Sequence, residues 1–475
     1  MKNKIIFFFL LLALLSTLSY AQAQQVEYDS IERANAKDKQ QEDTTSLLYA
    51  FKNARVNGYF RSFTMVTDNA SGLTDYYANA IGGNMKFETL PFKNIQWGIS
   101  GFFVFNVGSS DLTKPDVKTK QMSRYETSLF DVEDPANKND INGIDELYFK
   151  YSFKNVHVIL GRQLINTPFI NTQDGRMKPT KVQGIWADFS GIKNTKIEGG
   201  FLYKISPRGT VQWYKTGESI GVYPAGLNAD GSKAEYAGNL QSAGIALLGI
   251  SHQLNRNFKW QLWEQFVENI FNTTMVQLDY SHQLAAGSTV LGALQAVRQD
   301  AVNSGGNKDP SKTYFTKGSN SLSYGAKFGW KNKNLETSLN YNRITKNGRF
   351  QMPREWGIEP FFTFLPRERN EGLGDVDAAV AKVNYRFSKA GLKTSLAFGF
   401  YHLPEVNNYA LNKYLMPSYN QLNVDAHYQF EGDLKGLAVQ FLYVYKSKTG
   451  ATFNNISVIN KVNVSLFNLI LNYNF

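Results

Sequence analysis

The sequence predicts an all-β chain, a transmembrane antiparallel β-barrel of about eighteen strands with short periplasmic turns and long extracellular loops. Three observations carry that prediction. The C-terminal run places Phe467, Leu469, Leu471, Tyr473 and Phe475 at every second position, with Asn468, Asn472 and Asn474 between them. That period of two gives a strand one apolar and one polar face. At the other end Lys2 and Lys4 precede the apolar run Ile5 to Leu15 and the small-residue segment Ala21-Gln22-Ala23, a secretory signal cleaved after Ala23. No later window approaches the ~18–20 consecutive apolar residues of a spanning helix. Finally, tight links alternate with long polar ones along the chain, as they do around a barrel.

Three segments follow in order: a signal peptide over 1–23, a polar periplasmic leader over 24–51, and the barrel over 52–475. Residues 46–51 read as one short amphipathic turn before the wall begins. The clearest strands are Leu147 to Phe153, Leu322 to Trp330, Ala381 to Phe387, Leu422 to Phe430 and Leu437 to Tyr445. Ala243 to Ile250, Lys259 to Val267 and Val290 to Val297 carry apolar residues on both faces, which bulges or inward packing would explain. Tight links fall at 91–93, 154–155, 331–334 and 431–435, and long ones at 108–140, 163–181, 206–239, 299–320, 346–376 and 402–420. The last strand, ending at Phe475, is expected beside the first near Val56 to Phe60.

Composition agrees with this reading. The 26 Tyr, 34 Phe and 7 Trp suit aromatic girdles at the two membrane interfaces. Without cysteine the chain has no disulfide, thiolate chemistry or sulfur-based metal site. Net charge is +11, and about +9 once the two signal-peptide lysines are removed. Such a surplus suits anionic partners or, in a barrel, the lining of a pore. Zinc, nucleophile-elbow and phosphate-loop motifs are missing, and His157, His252, His282, His402 and His427 are scattered, so no catalytic residue, metal or cofactor is expected.

Strand parity assigns the lumen. Its basic set is Arg55, Arg61, Lys86, Lys150, Lys196, Lys204, Lys327, Lys382, Arg386 and Lys393; its acidic set is Glu88, Glu146, Glu198, Asp279, Glu336 and Asp425. These charges either guide a solute or pair across strands and hydrate the pore. A second charged and aromatic stretch, Arg354 to Gly372, reads as a solvated external loop, with inward folding over the mouth as the other reading.

The most informative connection is the third loop, about 163–182, with Gly161-Arg162-Gln163, Thr167-Pro168-Phe169, Asn171, Asp174-Gly175-Arg176, Lys178-Pro179 and Gly184-Ile185-Trp186 around it. Over about 143–189 the chain resembles the OprD-like outer-membrane porins, which carry a Gly-Arg-Gln strand end, a Thr-Pro step, an Asp-x-Arg stretch and a Pro before a Gly-containing return strand. The resemblance implies an eighteen-stranded channel for small carboxylate-bearing solutes such as amino acids. It also implies a third loop that folds into the lumen and a basic ladder that leads to it. The ladder candidates are Arg55, Arg61, Arg162, Lys382 and Arg386; the constriction candidates are Asn171, Asp174, Arg176 and Lys178. The ladder departs from the family where it holds Lys rather than Arg, as at Lys382, and there loses the planar fork that grips a carboxylate. Asp174 and Arg176 either contact solute or form a local pair that pins the loop.

The expected function is passive diffusion of small hydrophilic solutes, anionic or carboxylate-bearing, across the outer membrane of a Gram-negative bacterium. Outer-membrane lipid and the solute are the expected partners, without nucleic acid, and the resemblance implies a monomer or loose homotrimer. The alternative is a barrel-anchored adhesin or partner-binding protein.

Overall fold

The computed structural model describes residues 44–173, 175–284, 287–388, 390–452 and 454–475. The signal peptide, most of the leader and Asp174 lie outside the described residues. A one-and-a-half-turn helix, α1 (Leu47–Lys52), capped by Ser46, precedes the wall. The strands are β1 (Arg55–Asp68), β2 (Tyr76–Glu88), β3 (Ile95–Ser109), β4 (Ile141–Phe153), β5 (Val156–Gln163), β6 (Lys181–Phe189), β7 (Thr195–Ser206), β8 (Ile245–Gln253) and β9 (Phe258–Val267). They continue as β10 (Phe271–Gln283), β11 (Thr289–Ala301), β12 (Asn320–Lys331), β13 (Leu335–Ile344), β14 (Val376–Phe387), β15 (Leu392–His402), β16 (Tyr419–Gln429), β17 (Leu437–Lys448) and β18 (Val464–Asn474). Each pairs antiparallel with the next, and β1 pairs with β18 from Tyr59↔Asn474 to Asp68↔Ser465, so the eighteen-stranded wall closes. A two-residue strand, Tyr214–Lys215, adds to the end of β7 outside the wall.

Closure brings Phe475 to its expected place. It exchanges two backbone hydrogen bonds with Gly58, and its ring stacks on Phe60 at 5.5 Å. The start of β1, the end of β18 and the short turns share one end, the periplasmic end. The opposite end carries nine loops, of which loop 2 (110–140), loop 3 (164–180), loop 4 (207–244), loop 6 (302–319), loop 7 (345–375), loop 8 (403–418) and loop 9 (449–463) are long. The alternation of short and long links is imperfect: loop 1 (69–75) is short and loop 5 spans only 268–270.

Outward residues are apolar and bare, as a lipid-facing wall requires; Leu339 and Phe328 are 64% and 63% exposed. The inward face is of two kinds. Toward the periplasm it is polar, whereas toward the external end it turns apolar and is covered by loops. In β14 Val376, Ala378 and Val380 are buried on the same side as Lys382, and in β9 Trp263 and Val267 are buried opposite the lipid-facing Leu262 and Phe266. These inward residues pack with Phe169 and Ile170 of loop 3, Tyr236 of loop 4, Phe315 of loop 6 and Trp356, Phe361 and Leu365 of loop 7. The core of the molecule is therefore inside the barrel, between wall and loops. Inward packing, not bulging, explains why β8, β9 and β11 carry apolar residues on both faces. Each large side chain so buried contributes about 1.5–3 kcal/mol, which is what holds polar loops down inside a watery channel.

Candidate functional site

Gly161, two residues before β5 ends, has a φ of +127° and packs its backbone so closely that a Cβ there would lie 2.2 Å from the Leu147 carbonyl. The Thr167-Pro168 step is a tight turn. Thr167 Oγ1 accepts from the Ile170 amide at 2.9 Å, and the Thr167 amide donates to the Ile170 carbonyl at 2.8 Å. That turn drives Phe169 and Ile170 into the core and carries the rest of the loop across the lumen. Arg61 Nη1 donates to the Arg176 carbonyl at 2.5 Å, Tyr59 Oη to the Met177 carbonyl at 2.9 Å, and Arg176 Nε to Ser128 Oγ at 3.0 Å. Lys178 Nζ reaches Ser206 Oγ of β7 at 2.7 Å and lies 5.0 Å over the Phe102 ring. The structure thus brings together Arg61, Arg176 and Lys178.

Asn171 faces the other way and joins the two inward loops. Its amide nitrogen donates to the Ile358 carbonyl at 2.9 Å, its oxygen accepts from the Ile358 amide at 3.1 Å, and its own backbone amide donates to the Trp356 carbonyl at 3.0 Å. Thr180 Oγ1 adds a bond to the Glu355 carbonyl at 2.8 Å.

Loop 7 corrects the reading of Arg354 to Gly372 as a solvated loop. Its residues are almost all buried, and its carbonyls are held by side chains of the wall. Gln295 holds Pro360 at 3.1 Å, Lys382 holds Phe362 and Phe364 at 2.8 and 2.9 Å, Tyr401 holds Thr363 at 2.9 Å, and Gln421 holds Pro366 at 2.7 Å. Lys446 Nζ donates to the Arg367 carbonyl, and Arg367 Nη2 to Asn468 Oδ1 at 2.8 Å. A row of donors around half the wall matches a row of carbonyls on an irregular backbone, which is how such a segment is tolerated at membrane depth. Loop 3 enters from one side of the barrel and loop 7 from the other.

Two bulges alter the parity of the lumen. At Ser100/Gly101 the register shifts, so Asp145 is the extra residue of β4 and both Asp145 and Glu146 point inward. Lys181 bonds to Asp145 and lies 3.5 Å from Glu146, which also meets Lys86 at 3.5 Å. A second shift at Gln183/Gly184 pairs Lys204 with Gln183, on the same face as the lipid-exposed Ile185. Lys204 therefore faces outward, contrary to the parity assignment. Arg162 is also outside. It pairs with Leu147, a lipid-facing residue, and its guanidinium lies 4.7 Å over the Trp213 ring of loop 4 while donating to the Ile144 carbonyl at 3.3 Å. The unbroken alternation of β5 forces this, because Gln163 is the inward residue.

Lys382 is inward but spends its donors on loop 7. Arg55 lies exposed at the periplasmic start of β1, opposite Glu88 in register, and Arg386 lies exposed near the periplasmic end of β14, opposite Lys393. They stand away from loop 3. Sequence reading missed Asp145, Lys181 and the loop 7 anchors Gln295, Tyr401, Gln421 and Lys446. Adjacent acids inside an alternating strand were the signal for the first of these.

The model of the family described as outer membrane porin, OprD family, matches residues 121–364, half of the chain and the part that contains loop 3 and most of loop 7. No curated protein matches the sequence. Among solved structures, Pseudomonas aeruginosa OccK9 (OpdG) superimposes with a TM-score of 0.70 at 16% identity, covering 90% of this chain and 99% of that one. Acinetobacter baumannii OccAB4 gives 0.70 at 16%, covering 92% and 99%. Pseudomonas aeruginosa OpdK with vanillate gives 0.65 at 14%, covering 90% and 99%. At these identities the likeness is one of fold.

Proposed function

We propose, starting from the fact that this chain belongs to the OprD family of outer-membrane porins, that its lumen passes small solutes bearing an anionic or carboxylate group. Its family and fold place it in the Gram-negative outer membrane and point to a channel rather than to an enzyme. What goes beyond that is the charge of its cargo, and one observation carries it. Lys178, Lys382 and Lys446 of the lumen, with Lys461 of loop 9, all donate to neutral oxygens: Ser206 Oγ, the Phe362 and Phe364 carbonyls, the Arg367 carbonyl, and the Tyr414 and Ile456 carbonyls. A lysine bound to a carbonyl keeps its field while it is protonated, which burial opposes by pulling Lys178 down to about 8 and Lys461 to about 7, whereas the field of Lys181 is cancelled by Asp145. The field around loops 3 and 7 thus favours anions and lowers the cost of carrying a carboxylate past them. Vanillate in the OpdK structure is a carboxylate too.

In this reading Arg61, Asn171, Arg176 and Lys178 line or support the constriction, and Arg55 and Arg386 act at the periplasmic mouth. One chain closes its own wall, so a monomer suffices for a pore, alone or in a loose homotrimer. The test is the reversal potential of the refolded protein in a planar bilayer under a salt gradient. Anion preference is expected at low salt, fading as the Debye length falls from ~30 Å at 0.01 M to ~8 Å at 0.15 M. Cation preference at low salt would overturn the reading, and absence of any conductance would favour a barrel-anchored adhesin.

A further inference from the structure

Below loop 3, on the periplasmic side, lies a cavity of about 640 Å³ between that loop and strands β7 to β9, within the range of ordinary small-molecule sites, about 300–1,000 Å³. Its wall differs from the charged wall of β1 to β6. One rung of inward side chains runs in register across five strands, Lys196 to Ser251 to Gln261 to Gln277 to Gln295. The rung below it runs Gln253 to Lys259 to Asp279. Its charges alternate in sign: Lys196 Nζ sits 2.8 Å from Glu198 Oε2, and Lys259 is in register with Asp279, which accepts from Gln277 at 2.8 Å.

The amides decide what fits. Gln253 commits its nitrogen to the Asn255 and Phe258 carbonyls, at 2.6 and 3.1 Å, and keeps its oxygen. Gln261 commits its oxygen to the indole N–H of Trp263 at 3.1 Å and keeps its nitrogen. The cavity therefore presents an amide acceptor and an amide donor together, with the Ser251 hydroxyl able to act as either. An anion would meet the Glu198 carboxylate and the bare oxygen of Gln253, and a cation would meet Lys196, Lys259 and the Gln261 nitrogen. A hydroxyl both donates and accepts, so neighbouring hydroxyls satisfy this set without a charge.

We propose that this cavity is a subsite for uncharged polyhydroxylated, sugar-like solutes, or for the polyol part of a larger solute. It rests on the channel reading and is independent of the preference for anions. The experiment uses the full chain in a planar bilayer, with sucrose added on the periplasmic side and a polyethylene glycol of matched viscosity as control. Saturable block by sucrose beyond the control is expected. In Gln253→Leu and in Gln261→Glu the half-blocking concentration should rise about tenfold, the effect of losing one or two hydrogen bonds, with conductance and reversal potential in the Gln253→Leu pore unchanged. Gln261→Glu keeps a polar wall and so tests the site even where the leucine variant does not refold. Block no greater than the control, or equal in wild type and both variants, would overturn the subsite while leaving anion preference standing. A non-conducting barrel would remove the channel reading and the subsite with it.

Discussion

Lys413 Nζ of loop 8 lies 2.9 Å from Glu371 Oε1 of loop 7, inside a cage of tyrosine rings. The centroids of Tyr236, Tyr314 and Tyr414 stand 4.8, 4.6 and 5.3 Å from the ammonium. Loops 4, 6, 7 and 8 thus meet at one buried ion pair. Glu371 gathers more hydrogen-bonded and charged partners than Lys413, whose other such partner is Gln351 Oε1 at 3.2 Å: Oε1 also accepts from Tyr314 Oη at 3.2 Å, and Oε2 from Tyr414 Oη at 2.6 Å, with Arg354 Nε 3.6 Å away. Burial pulls Lys413 down to about 8 despite its partner, so its charge is held reluctantly, whereas Lys413 and Arg354 together hold Glu371 below the usual range.

Removing the acid should therefore hurt more than removing the base. Glu371→Gln leaves two buried cations without their anion and should cost about 3–5 kcal/mol. Lys413→Met fills the cage with a neutral side chain of similar length and should cost less, because Arg354 and two tyrosine hydroxyls still satisfy the carboxylate. Thermal unfolding of both variants in detergent ranks them; equal losses would mean that the pair and not the carboxylate network holds the loops.

Gly357 makes the junction of loops 3 and 7 possible. Its φ is +138°, and a Cβ there would stand 2.4 Å from Asn171 Oδ1. Gly357→Ala combines a strained backbone, about 1–3 kcal/mol, with a clash that pushes Asn171 off the Ile358 amide. A larger single-channel conductance is expected, since the two loops then part. An unchanged conductance would mean that the narrowest passage lies elsewhere.

Asp145 neutralises Lys181 deep in the wall, and Glu146 stays within 3.5 Å to keep that lysine paired. Asp145→Asn should leave folding intact and move the reversal potential toward anions. One unit charge about 10 Å from the pore axis in water is worth about 0.4 kcal/mol, or about a factor of two in permeability ratio at low salt. A shift toward cations would reverse the charge assignment of this wall.

The wall was legible in the sequence because alternation is local: each strand states its own lipid face, as the pairing of Phe475 beside Gly58 illustrates. The lumen was less legible for two physical reasons. A bulge adds one residue and flips everything beyond it, which hid Asp145 and misplaced Lys204. Loops are not periodic, so nothing marked Arg354 to Gly372 as inward except the apolar residues on both faces of β8, β9 and β11, which needed something to pack against. The excess of donors on the inward face, Gln295, Lys382 and Gln421, was the complementary half of that signal. Arg162 was placed by its motif when the parity of β5 argued for the outside.

Lys382 and Arg386 share a strand face but do different work. Lys382→Met removes two charge-assisted bonds to loop 7, each worth about 1.5–3 kcal/mol, so conductance should rise as anion preference falls. Arg386→Gln, away from loop 7, should change selectivity slightly and conductance not at all. Single-channel recording of the two variants side by side checks this; matching phenotypes would mean that loop 7 does not depend on Lys382.

Acidity should tighten loop 7. Glu368 is buried with neither oxygen hydrogen-bonded among the described residues, and Glu359 accepts the Asn370 amide at 2.6 Å and its side-chain nitrogen at 2.7 Å. Burial pushes Glu359 up to about 7, and burial together with Glu359 raises Glu368; Arg369 beside both and Lys446 beside Glu368 oppose the rise without overcoming it. In a released, solvated loop both would titrate near ~4.3. A carboxyl raised in the docked state stabilises docking fully below that value and loses its contribution as pH rises through about 7. Conductance and protease cleavage within loop 7 should therefore increase between about pH 5 and pH 8. Glu359→Gln combined with Glu368→Gln should flatten both curves at the low, tightly docked level, since a neutral amide cannot ionise. Curves that fall with pH, or that persist in the double variant, would assign the response to other groups.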